Sequence, residues 1–152
     1  QMNTIQERQK EASLARQKEA AGEKPEVLGF ADMSPEEARK IKVDLYREGF
    51  FYYAVTHRTP NAPGSYLESS LMDMMAWDAT DHADLISQPL IMIAGEKADS
   101  RYMSEEAFAK ATGTADKALF IVPGATHIQT YFVKEYVDQI VSKIDQFFIN
   151  HM

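Results

Sequence analysis

The chain has 152 residues, 45% hydrophobic and 26% charged, the length and composition of one ordinary globular domain. Its formal net charge of -7 argues against a nucleic-acid backbone or an anionic membrane surface as the main partner. With no cysteine there can be no thiol chemistry, disulfide or Cys-based zinc site, and four histidines remain for catalysis.

Residues 1–24 are nearly all good helix formers and predict an exposed helix with a thin stripe at Ile5 and Leu14, closed by Gly22 and Pro25. The run Asp32-Met33-Ser34-Pro35-Glu36-Glu37 marks a second helix start. Ser34 is its N-cap, Pro35 its first residue and Glu37 the acid of a capping box, with the helix running to about Glu48. An aromatic run, Phe50-Phe51-Tyr52-Tyr53, leads into a Pro/Gly/Asn loop from Thr56 to Ser65. A further helix is expected between Ser69 and Thr80.

The pattern then changes. Pro89-Leu90-Ile91-Met92-Ile93-Ala94-Gly95 and Ala118-Leu119-Phe120-Ile121-Val122 are short continuous apolar runs stopped by glycine or proline, the pattern of strands buried on both faces. A capped helix starting at Ser104 separates them. After the second, Phe132 to Phe148 carries Phe132, Val133, Tyr136, Val137, Ile140, Val141 and Ile144 at helical spacing. Strand, helix, strand, helix implies two parallel strands covered by helices, an α/β arrangement. Two such strands leave unpaired edges, so either Phe50 to Val55 joins the sheet or its remainder lies in another polypeptide.

The first apolar strand runs into Glu96-Lys97-Ala98-Asp99-Ser100, and the second into Pro123-Gly124-Ala125-Thr126-His127. The interval from 99 to 127 is what one helix and one strand consume. An acid and a histidine would therefore meet at the rim where open α/β sheets place their ligands. A carboxylate on Nδ1 fixes the tautomer of a histidine whose Nε2 takes a proton from a nucleophile, which makes this two-thirds of a Ser-His-Asp triad. Glu96, in the same loop, is the rival acid. His57 reads as a solvated loop residue, His82 as part of a hydrophilic acidic turn rather than a metal site, and His151 as a mobile terminal residue.

The segments LIMIAGEKADSRYMSEEAFAKA, LFIVPGATHIQTYF and, upstream, SLMDMMAWDATDHADLISQPL resemble the C-terminal part of α/β-hydrolases, in particular the dienelactone-hydrolase-like branch. The resemblance covers roughly Gly49 to Phe148 and is most specific at Gly95-x-x-x-Asp99 and Gly124-Ala125-Thr126-His127. It implies that Asp99 is the triad acid and His127 the triad base, in the chain order nucleophile, acid, histidine. It further implies hydrolysis of a carboxylic ester, lactone or related acyl substrate with no metal or organic cofactor. The nucleophile elbow G-x-S-x-G and an HGGG-like segment occur nowhere in the sequence.

The expectation is therefore a C-terminal part of an α/β-hydrolase fold at residues 66–152, preceded by a helical, cap-like or lid segment at 1–65. Its serine would lie outside this chain, in the N-terminal half of the same hydrolase; that half, or a second copy, would complete the sheet, and the chain alone is not expected to be active. Gln1 in place of an initiating Met fits a processed product or an excerpt. The competing expectation is a non-catalytic assembly module, or a small-molecule binding module using the aromatics between Phe50 and Trp77, on a relic hydrolase fold. Homo-oligomerisation is compatible with either. No membrane span or signal peptide is legible, which makes a cytoplasmic location the default.

Overall fold

The structure, a computed structural model, describes residues 2–30, 33–61 and 64–151. Gln1, Asp32 of the helix-start motif and Ala62-Pro63 of the long loop lie outside the described residues. Chain contacts divide the molecule into two compact units, residues 1–38 with 50–79 and residues 39–49 with 80–152.

In the first unit, helix α1 spans Met2–Ala20. Gly22 ends it at φ +90°, a left-handed conformation that favours glycine. The expected stripe is displaced: Ile5 and Leu14 are exposed, whereas Ala12 and Ala15 are buried. Small residues let α1 pack closely on the segment Glu68–Ser70 and on helix α4, Leu71–Ala76. Arg16 fixes the register, donating to the Ser69 carbonyl at 3.0 Å and to Asp73 at 2.7 Å. A short antiparallel pair, β1 (Val27–Gly29) and β2 (Ser65–Leu67), was not expected from sequence.

The capping box is present at helix α2, Pro35–Ala38: Glu37 accepts the Ser34 amide at 2.8 Å, and the Glu37 amide donates to Ser34 Oγ at 3.3 Å. The helix does not run on to Glu48. It stops after Ala38, and a separate helix α3 starts at Asp44 and ends at Phe50. Phe51–Thr56 follows as a π-helical turn, so the aromatic run does not supply a sheet strand. Its helical path is continuous with α3, which overrides the β-propensity of Phe and Tyr.

The second unit holds the βαβα core. Strand β3 (Leu90–Gly95) and strand β4 (Lys117–Val122) pair in parallel, with Leu90 opposite Lys117 and Gly95 opposite Val122. Helix α5 (Arg101–Lys110) connects them, and helices α6 (Gln129–Phe132) and α7 (Lys134–His151) follow. The final helix is thus split at Val133, where the chain turns extended. Burial of both strands on both faces is not realised. Leu90 to Ala94 and Lys117 to Ile121 are half-buried, and Val122 is the one large side chain among the described residues that is fully enclosed. The sheet has two strands among the described residues, each with a free edge. No described helix is long and apolar enough to cross a membrane.

Candidate functional site

Because Gly95 and Val122 are register partners, the loops 96–100 and 123–128 leave the sheet level with one another. They are bound together. The Glu96 amide donates to the Val122 carbonyl and the Lys97 amide to the Ala125 carbonyl, both at 2.9 Å. In the opposite sense the Gly124 amide donates to Glu96 Oε2 at 2.8 Å. Gly124, at φ +74°, makes the turn that presents this amide. Gly95 is required by close approach: a Cβ there would collide with the Ala125 carbonyl oxygen and lie 3.0 Å from the Thr126 oxygen.

Further along, Thr126 and Gln129 form a reciprocal pair. The Thr126 amide donates to Gln129 Oε1 at 3.1 Å, and the Gln129 amide to Thr126 Oγ1 at 3.4 Å, the bonding pattern of a capping box in the turn that leads into α6. Thr126 Oγ1 also donates to Glu48 Oε2 at 2.5 Å. Ala125, Thr126 and Ile128 are buried, so the backbone on both sides of His127 is fixed, while His127 itself is half-buried.

Both ring nitrogens of His127 are engaged. Nδ1 lies 2.5 Å from Ser100 Oγ, and Nε2 lies 2.5 Å from the Tyr131 hydroxyl, whose ring meets the imidazole edge-on. Hydroxyls donate or accept, so either neutral tautomer satisfies both contacts. Asp99 reaches the same rim but turns elsewhere: its Oδ2 accepts the Leu45 amide at 3.1 Å. That amide belongs to the first turn of α3, where backbone donors lack helical partners and attract a carboxylate. The structure thus brings Asp99 and His127 to adjacent loops, with Ser100 rather than Asp99 on Nδ1. Glu96 contacts the histidine-bearing turn and not the imidazole.

The sequence reading missed Ser100, Tyr131, Thr126 and Glu48. The Thr126-x-x-Gln129 spacing was legible as a capping box; the others carry no local signal. His57 is exposed, stacked on Tyr52 at 4.2 Å and paired through Nδ1 with Thr56. His82 adopts φ 63° in a turn. Among the described residues no group of three or more His, Asp or Glu side chains could hold a metal ion. His151 is tied down at both nitrogens, to the Phe147 carbonyl at 2.6 Å and to Asp116 at 3.0 Å. These bonds hold its pKa above the ordinary histidine value.

No family model matches the chain. Over 99 residues it is 33% identical to the uncharacterized protein YcjY of Escherichia coli (strain K12), an overlap of 64% of this chain and 32% of YcjY. Over 70 residues it is 40% identical to the uncharacterized protein PA2218 of Pseudomonas aeruginosa, 45% of this chain and 18% of PA2218. The crystal structure of PA2218 superposes with a TM-score of 0.72 at 24% identity, covering 97% of this chain and 45% of that one. DcsB, solved in complex with its substrate analogue, superposes with a TM-score of 0.75 at 15% identity, covering 100% of this chain and 52% of DcsB. The fold is therefore α/β, and the chain spans about a third of YcjY and about half of each solved neighbour.

Proposed function

We propose that this chain is the C-terminal part of a serine hydrolase of the α/β-hydrolase class, dienelactone-hydrolase-like, acting on carboxylic esters, lactones or related acyl substrates. The observation that carries the reading is the pair of level loops after β3 and β4. They hold an imidazole, fixed through its backbone, beside a carboxylate-bearing loop at the C-terminal rim of a parallel sheet. That rim is where open α/β sheets bind ligands.

In this reading His127 Nε2 takes the hydroxyl proton of a serine supplied from outside this chain as the serine oxygen attacks the acyl carbonyl. It returns the proton to the departing alcohol. Water then loses a proton to the same nitrogen as it attacks the acyl-enzyme, and the nitrogen hands that proton to the serine oxygen as the acid departs. Three contacts rearrange on completion. The Tyr131 hydroxyl occupies the nitrogen that the serine needs, and Asp99 must leave the Leu45 amide and displace Ser100 from Nδ1 to act as the triad acid. Residues 66–152 form the hydrolase part, and residues 1–65 act as its cap-like segment. The serine comes from an N-terminal half of the same hydrolase, and the missing strands from that half or from a second copy. The half-buried apolar strands with free edges support such a partner.

Fluorophosphonate labelling tests the proposal. The chain alone should remain unlabelled, and the completed enzyme should be labelled on serine and hydrolyse p-nitrophenyl esters. His127→Ala should lower kcat by about three orders of magnitude or more with the fold unchanged. Esterase activity that survives this substitution would sink the assignment, and a completed protein that never labels would point to an assembly module instead.

A further inference from the structure

We infer that Glu96 is a positioning residue for His127, acting as a carboxylate clamp on the turn that carries the base. The inference rests on the reading of His127 as the base and goes beyond it, because it assigns a separate role to the second acid of the loop.

Glu96 is bonded to the β4 turn twice, in opposite senses. Its backbone amide donates to Val122 O at 2.9 Å, and its side chain accepts the Gly124 amide at 2.8 Å. These two bonds flank Pro123, so the start of the turn that leaves β4 is held on both sides of the proline by one residue. The neighbouring Lys97 amide adds the bond to Ala125 O, and the contact of Gly95 with the same carbonyl leaves no slack beneath it. Two residues later comes His127.

On its other side the histidine is held by the Thr126–Gln129 pair, by Glu48 on Thr126, and by Thr130 Oγ1 donating to the His127 carbonyl at 2.6 Å. The imidazole direction is therefore set by backbone position more than by ring contacts, which come from the hydroxyls of Ser100 and Tyr131. Among the described residues, the bond from Gly124 to Glu96 is the only one made through a side chain between the β3 side and the Pro123-Gly124-Ala125 turn, and so the one that substitution removes cleanly. A carboxylate accepting a backbone N–H is a charge-assisted bond, stronger than its neutral counterpart. An amide oxygen at the same place would still accept, which separates a clamp from a triad acid.

Two readouts decide it. In the chain alone, Glu96→Ala should move the Gly124 amide resonance and the His127 ring resonances together in heteronuclear NMR spectra. Glu96→Gln should restore the His127 ring resonances to within small differences of the parent. In the completed hydrolase, Glu96→Ala should lower kcat about tenfold at unchanged KM, and Glu96→Gln should recover most of that loss.

If Glu96→Ala leaves the His127 resonances in place, the clamp does not exist. If Glu96→Gln is as damaging as Asp99→Asn, Glu96 is the triad acid and the positioning role is overturned. The NMR arm needs no activity, so it decides the clamp even if the hydrolase reading fails. Should the Ala variant unfold, the Gln variant carries the NMR test: displaced His127 resonances there would also overturn the inference.

Discussion

Gly95→Ala is the sharpest test of the close approach beneath the histidine turn. The new Cβ would collide with the Ala125 carbonyl oxygen and lie 3.0 Å from both the Ala125 carbonyl carbon and the Thr126 oxygen. All three atoms are backbone, and the Ala125 carbonyl is already an acceptor for Lys97, so none can swing aside as a side-chain tip would. Overpacking of this kind costs about 1–3 kcal/mol, and losing the Lys97 bond adds about 1 kcal/mol, for about 2–4 kcal/mol together. With a urea dependence of about 2 kcal/mol/M, the midpoint should fall by about 1–2 M. Gly49→Ala is the matched control. In α3 a Cβ at that position meets only Ile128 Cδ1 at 3.8 Å, ordinary contact, and replacing a helical glycine should stabilise by about 0.5–1 kcal/mol. A Gly95→Ala midpoint within error of the parent would refute the reasoning, because the loops could then separate at no cost.

In the completed enzyme, Asp99→Asn should lower kcat by about 10⁴-fold and Ser100→Ala by less than tenfold. Equal effects would show that Ser100 keeps Nδ1 during turnover. Glu68 is buried, and this burial, followed by the nearby Glu26 carboxylate, raises its pKa above the usual carboxylate value. For a raised acid, the stabilising contribution is complete below about pH 4.5 and is lost as pH rises through the folded-state value. Glu68→Gln should therefore raise Tm at pH 7 and leave it unchanged at pH 4, as read by circular dichroism. The pKa of His151 is raised by its bond to the Phe147 carbonyl and then by Asp116. Its contribution to holding the end of α7 is complete below about pH 6.5 and declines as pH rises through the higher folded value. A pH series of Tm should show this decline in the parent and lose it in His151→Ala.

What sequence could reveal followed the length scale of each signal. Strands β3 and β4 were legible because their apolar runs are continuous and bounded by Pro89, Gly95 and Pro123, and α7 because its apolar residues repeat at helical spacing over several turns. Three-residue strands such as β1 and β2 are too short to carry a period, and their pairing is decided by a partner far along the chain. The aromatic run after Phe50 illustrates tertiary override: residues that favour strands continue the helical path that begins in α3.

At the site, the placement of Asp99 and His127 followed from strand ends and loop lengths. The contacts of the imidazole did not, because they depend on rotamers of Ser100 and Tyr131 and on an α3 amide that attracts Asp99. The expected burial of both strands failed for a different reason. A continuous apolar run records the environment for which a strand is suited, and the described chain covers that surface only in part.

Such partial coverage has a calorimetric consequence. Unfolding exposes less apolar surface than it would from a fully covered sheet, since the side chains of β3 and β4 are only partly covered and Val122 is the one large side chain fully enclosed among the described residues. The heat-capacity increment should then fall below the usual 12–15 cal/mol/K per residue (about that range for ordinary domains), and the stability curve should be correspondingly flat with temperature. Enclosing β3 and β4 within a larger sheet would steepen that curve, so that the change in heat capacity on assembly reports how much of these strands becomes dry.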